Sequence, residues 1–190
     1  MALPLPGPVA VRAADDLQKN AYDPSTRRGV IEQPRGSNRG ASINVYNIAA
    51  GVPEGSYWCA SAVYYRLIMA AHWLDLSMPA DMLVANGFGA AAASSYAEWA
   101  KKHGRWIPVE EARAGRIAPG KGDLVCFDIP GEGGIHHIGF VLSAGASGVR
   151  TAEGNTHLDG EVTRDGYCVA VRRRSWEEVG PGGGFVRLGV

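Results

Sequence analysis

The chain has no excess of charge of either sign: 19 Lys and Arg stand against 19 Asp and Glu in 190 residues. A protein that follows a phosphate backbone or an anionic bilayer by electrostatics needs a cationic field, and this composition offers none. Nucleic acid is therefore not an expected partner. Cysteine is scarce, with only Cys59, Cys126 and Cys168. Three thiols exclude a disulfide framework, and without a CxxC pair they offer no zinc site. Long apolar runs are missing too. The most apolar stretch, residues 57–74, is interrupted by Arg66 and His72, so it reads as a buried helix and not a membrane span. The start, MALPLPGPVAVR, has no cationic segment and carries Pro4, Pro6 and Pro8. No secretory signal is expected, and the chain reads as a soluble product made in the cytoplasm.

What the chain does have is an ordinary core composition, 46% hydrophobic and 20% charged residues, enough for one globular domain. Its 26 glycines and 11 prolines exceed an average chain's share and imply many turns, which argues against a bundle of long helices. The apolar spacing predicts helices over about 9–22, 43–50, 58–74 and 94–102, with a mixed stretch over 75–91. After residue 119 the pattern changes. Short apolar runs at 124–127, 137–143, 149–153, 167–172 and 185–188, bounded by Gly, Asp or Ser, read as antiparallel strands. Helices first and strands second is the α+β pattern, with N-terminal helices packed on a C-terminal antiparallel sheet.

Chemistry concentrates in three places. Cys59, in GVPEGSYWCASAV, follows a Gly/Pro turn and opens the longest helix. Unpaired N–H groups and the positive helix end there favour a thiolate nucleophile, although most free cysteines are simply buried hydrophobes. Cys126 and Cys168 fall in mid-strand and read as core. A base for Cys59 is offered by GGIHHIGFV (133–141). Adjacent strand residues face opposite ways, so only one of His136 and His137 can serve. Gly139, on the His137 face, leaves room for a helix to approach, which favours His137. Orienting groups for the imidazole are offered by Glu153 and Asn155, at i and i+2 on the next strand, and less directly by Asp123 and Asp128. The order is a cysteine at a helix start, a histidine on one strand and a carboxylate on the next. That is the papain-type arrangement of thiol chemistry.

Four stretches resemble the CHAP family, the cysteine- and histidine-dependent amidohydrolases and peptidases that cut bacterial peptidoglycan. They are GSNRGASINVYNIAAGVPEGSYWCASAVYYRL (36–67), PGKGDLVCFD (119–128), HHIGFVLSA (136–144) and TAEGNT (151–156), with GFVRLG (184–189) similar to the closing strand. The resemblance runs from about residue 30 to the end. It implies a single papain-like domain over 26–190, preceded by an N-terminal extension with a helix over 1–25.

The same resemblance implies Cys59 as nucleophile and His137, just before Ile138-Gly139, as base. Glu153 and Asn155 follow as the third and fourth polar members. The implied function is cleavage of a peptidoglycan amide bond, by an N-acetylmuramoyl-L-alanine amidase or a stem-peptide or cross-bridge endopeptidase. Peptidoglycan would be the partner, and the site of action the cell wall, reached by phage lysis, a phage particle or a secretion system. An injected toxin would add an immunity protein. A monomer with no cofactor is expected. Some relatives hold calcium in an acidic loop before the cysteine, but only Glu54 is present there, so no metal is expected. Two other classes fit the same residues: a non-catalytic wall-binding module and a cysteine acyltransferase. Tyr57, Trp58, Tyr64, Tyr65 and Trp106 are candidates for a substrate groove, with core packing expected for most.

Overall fold

The computed structural model describes residues 7–76 and 89–189. Most of the Pro-rich lead and most of the mixed 75–91 stretch lie outside the described residues. Four helices come first: α1 (Gly7–Lys19), α2 (Ala41–Ala49), α3 (Cys59–Trp73) and α4 (Ala93–Lys102). A six-stranded sheet follows, built from β1 (Trp106–Pro108), β2 (Leu124–Asp128), β3 (Ile135–Gly145), β4 (Gly148–Thr156), β5 (Cys168–Ser175) and β6 (Gly184–Val186). Two short helices, α5 (Val109–Arg113) and α6 (Trp176–Val179), interrupt the strands. The strand order is β1-β6-β2-β3-β4-β5, and every neighbouring pair is antiparallel. The architecture is α+β. Among the described residues, no helix is long and apolar enough to cross a membrane.

The sheet is covered on both faces, which explains the unbroken apolar run of β2. Leu124 and Cys126, with Ile138, Phe140 and Ala152, pack against α1, α3 and α4. Val125 and Phe127, with Val141, Val149 and Phe185, pack against α5 and α6. Each fully buried large side chain, such as Leu67 or Phe140, contributes about 1.5–3 kcal/mol from area removed from water.

The segment expected as an extension joins this core. Val9, Ala13, Ala14 and Leu17 repeat at helical spacing on α1 and are fully buried against the main cluster. The helix stops at Lys19, earlier than the apolar spacing suggests, because the chain turns there. Tyr22 then donates its N–H to Val169 of β5.

Candidate active site

Two close approaches set the positions of the site residues. Gly139 lies opposite Glu153 in the β3–β4 register. A Cβ on Gly139 would lie 2.7 Å from Cγ of Glu153, so the gap above this glycine is filled by the glutamate. The sequence reading gave that gap to a helix. The helix instead approaches one residue further along β4. A Cβ on Gly154 would lie 2.8 Å from Cβ of Ala62 and 3.0 Å from the Trp58 ring. Gly154 thus lets α3 sit tight on the sheet, and Gly139 lets Glu153 cross to its neighbour.

That neighbour is His137. Its ring is fully buried, packed 5.4 Å from the Phe127 ring, centroid to centroid. Nε2 lies 3.0 Å from Oε2 of Glu153. A carboxylate can only accept, so Nε2 carries the proton and Nδ1 is left to act on something else. Nδ1 has no hydrogen-bond partner of ordinary geometry. Cys59 is the group near enough to act on the ring from outside this pair. Such contacts often tighten only when substrate binds. The Cys59 thiol itself makes a long 3.9 Å contact to the His136 carbonyl.

Burial alone would lower the His137 pKa. The nearby Cys59 sulfur and the hydrogen bond to Glu153 more than offset this and lift it to about 9. Burial would raise the Glu153 pKa, but its hydrogen bonds with His137 and Arg174 hold it well below the usual carboxylate range. The raised His137 value stabilises the fold fully below its unfolded pKa of about 6.5, and that contribution is lost as pH rises through about 9. The depressed Glu153 value contributes above about pH 4.5 and is lost only in stronger acid. Urea melts should therefore show wild type losing about 3 kcal/mol between pH 6.5 and 9. His137→Ala should lack this loss. The same slope in both proteins would refute the assignment.

Glu153 has more partners than sequence reasoning gave it. Oε1 accepts from Thr151 at 2.6 Å and from Nε of Arg174 at 2.9 Å. Oε2 accepts from Thr156 at 3.1 Å and from Nη2 of Arg174 at 2.9 Å. Arg174 has its side chain wholly buried and also pairs with Glu178 at 3.1 Å. A line of alternating charges thus runs from buried His137 through Glu153 and Arg174 to partly exposed Glu178. Thr151, Thr156, Arg174 and Glu178 were all missed. The available signal was an arginine on the inward-facing parity of an apolar strand, but the fifth strand was read as ending at Arg172.

Asn155 is not brought to the ring. The β4–β5 register shifts between Glu153 and Thr156, and Asn155 has a left-handed backbone with φ 53°, so strict alternation fails there. Its side chain holds the loop before β5, donating to the Arg164 carbonyl at 3.4 Å and accepting from the Gly166 N–H at 3.2 Å. Asp123 and Asp128 also serve turns: Asp123 accepts from Gly120 and Leu188, and Asp128 from Gly134 and Gly182.

Cys59 is 4% exposed, but it reaches a cleft of about 640 Å³ that also touches Tyr57, Ser95, His136 and Arg164. The turn before it is pinned at both ends. Asn47 donates to the Ser56 carbonyl at 3.1 Å, and the buried Trp58 indole donates to Oε1 of buried Glu32 at 3.0 Å. Glu32 gave no signal in its polar loop. Of the aromatics, Tyr57 lines the cleft and Trp58 is core, with Tyr65 and Trp106 packed against that core. The other thiols stand apart from this chemistry. Cys126 is fully buried, which pushes its pKa up, and burial pushes Cys168 up to about 12.

His136 borders the cleft, and its ring bonds the Glu132 carbonyl at 3.0 Å. The histidine pair therefore divides, with one ring at the cleft and one fully buried. Compared with family models, with curated proteins and with solved structures, the chain matches none of them.

Proposed function

We propose that this protein is a papain-like, CHAP-type enzyme that hydrolyses an amide bond of bacterial peptidoglycan, with Cys59 as nucleophile. One observation carries the reading. A cysteine at a helix start opens into a cleft and backs onto a buried histidine, whose far nitrogen is fixed by an ionised glutamate. Nucleophile, base and orienter in that sequence is what covalent amide hydrolysis requires. The motifs WCASAV, HHIG and AEGN support the wall substrate through their resemblance to that family.

In this mechanism the proton lost by Cys59 resides on Nδ1 of His137, whose raised pKa keeps the ring protonated at neutral pH, and the Cys59 thiolate attacks the amide carbonyl. As the first residue of α3, Cys59 has a backbone N–H without an intrahelical partner, and it donates to the developing oxyanion. Collapse breaks the C–N bond, and His137 returns the proton to the departing amine. Water then attacks the thioester while His137 takes its proton, which frees the acid and restores the thiolate. Glu153 keeps Nε2 protonated throughout, so Nδ1 remains the working nitrogen. The reading places the protein's action at the cell wall.

The test is digestion of purified sacculi followed by mass spectrometry of the fragments. New amine and carboxyl ends at one bond type are expected with wild type and not with Cys59→Ala. Unchanged sacculi would sink the reading. Acyl products carrying an added amine in place of water would make the enzyme a transferase.

A further inference from the structure

We propose that Arg164 selects the substrate by binding a free carboxylate on the group next to the scissile amide. The inference rests on the reading of Cys59 as nucleophile and adds a recognition element to it. Arg164 is the one residue among Lys, Arg, Asp and Glu in the described lining of the Cys59 cleft. It projects from the loop before β5, where buried Asn155 holds its carbonyl. Its guanidinium lies 4.7 Å from the centre of the Tyr57 ring, and Tyr57 lines the same cleft. The arginine therefore lies beside Tyr57 in the lining of the cleft that Cys59 reaches.

Its charge is not used up. Its ion pair is a single contact, 3.7 Å from Nη1 to Glu132, between side chains 45% and 36% exposed. Pairs of that kind contribute little. The neighbouring acids Glu54 and Asp165 are not among the residues that line the cleft. The described lining thus offers a cation with open donors and no acid to receive a cationic substrate group. The helix ends at Cys59 and at Ala93–Ser95 border the same space and add potential of the same sign. A planar guanidinium with free N–H groups matches a carboxylate in shape as well as charge.

Two alkylating agents of nearly equal size test this without any assumption about the wall polymer. Iodoacetate is anionic and iodoacetamide is neutral. Their rates at Cys59, located by peptide mapping, should give a ratio above that of free cysteine. Arg164→Gln should lower this ratio by about threefold or more, the scale of one partly screened charge at short range. Arg164→Lys should keep most of it. Any attraction from a protonated His137 persists in both variants, so the change between them reports Arg164. An identical ratio in wild type and Arg164→Gln, with Cys59 still readily alkylated, overturns the proposal and leaves the nucleophile standing. Inertness of Cys59 to both agents overturns the two together.

Discussion

His137→Ala should lose roughly 10³-fold or more in hydrolysis rate, because removing one member of a nucleophile–base unit disables the unit. His136→Ala should lose far less. The two rings are adjacent in sequence but not equivalent in place. His137 is fully buried and bonded to Glu153, while His136 borders the cleft and bonds a backbone carbonyl. Truncating a buried ring also leaves a void, so His137→Gln, closer in volume, is the companion variant. Its rate should fall as far while its melting temperature stays nearer to wild type. Rates on the same peptidoglycan, with circular dichroism for folding, decide the matter. An inactive His136→Ala beside an active His137→Ala would give the base to the other histidine and detach Glu153 from the mechanism.

The second large effect should come from a residue that does not touch the cleft. Arg174→Met should destabilise the protein by about 3–5 kcal/mol, because it strands buried Glu153 without its counter-charge. In a chain of this size that corresponds to a melting temperature lower by about 10 °C. The arginine grips Glu153 through two nitrogens and Glu178 through a third. Methionine fills similar space and supplies none of these donors. Arg174→Lys keeps the charge but not the fork, so it should recover only part of the loss. Thermal melts at neutral pH read the effect directly. An Arg174→Met protein as stable as wild type would mean that Thr151, Thr156 and His137 suffice to hold the carboxylate.

Much of this arrangement was legible before the structure, where residue type and local chemistry act together. The turn GVPEGSYW fixes the start of α3, and Gly-bounded apolar runs mark β2 to β5 and β6. Cys59, His137 and Glu153 could be ordered because a thiol, an imidazole and a carboxylate have distinct roles. What escaped was set by tertiary geometry. β1 has three residues, too short to show a period, and it ends in proline. α5 and α6 have five and four residues. Asn155 was misplaced by a bulge whose local trace is an asparagine in a left-handed conformation, which that residue tolerates better than most. Arg174 fell beyond the strand predicted over 167–172, and burying an arginine needs partners from elsewhere in the chain. Those partners lie about twenty residues away on β4. The histidine–glycine face rule picked the ring that Glu153 holds but named the wrong neighbour, since Gly139 makes room for a carboxylate and not for a helix.

The buried charges also bear on how the sheet finds its alignment. If β4 slid by one residue against β3, every side chain on it would change face. Glu153 would then be driven toward α3, into the place where Gly154 now sits against Ala62 and Trp58. Neither its room nor its partners exist there. Apolar strands such as Val-Cys-Phe and Val-Ala-Val could trade one register for another at modest cost, because both faces of this sheet are covered by apolar residues. A glutamate that must meet an arginine from β5 and a histidine from β3 at once cannot. The residue that holds the His137 ring therefore also acts as a proofreader of strand alignment, and misaligned sheets are rejected by the same charge that fixes the histidine.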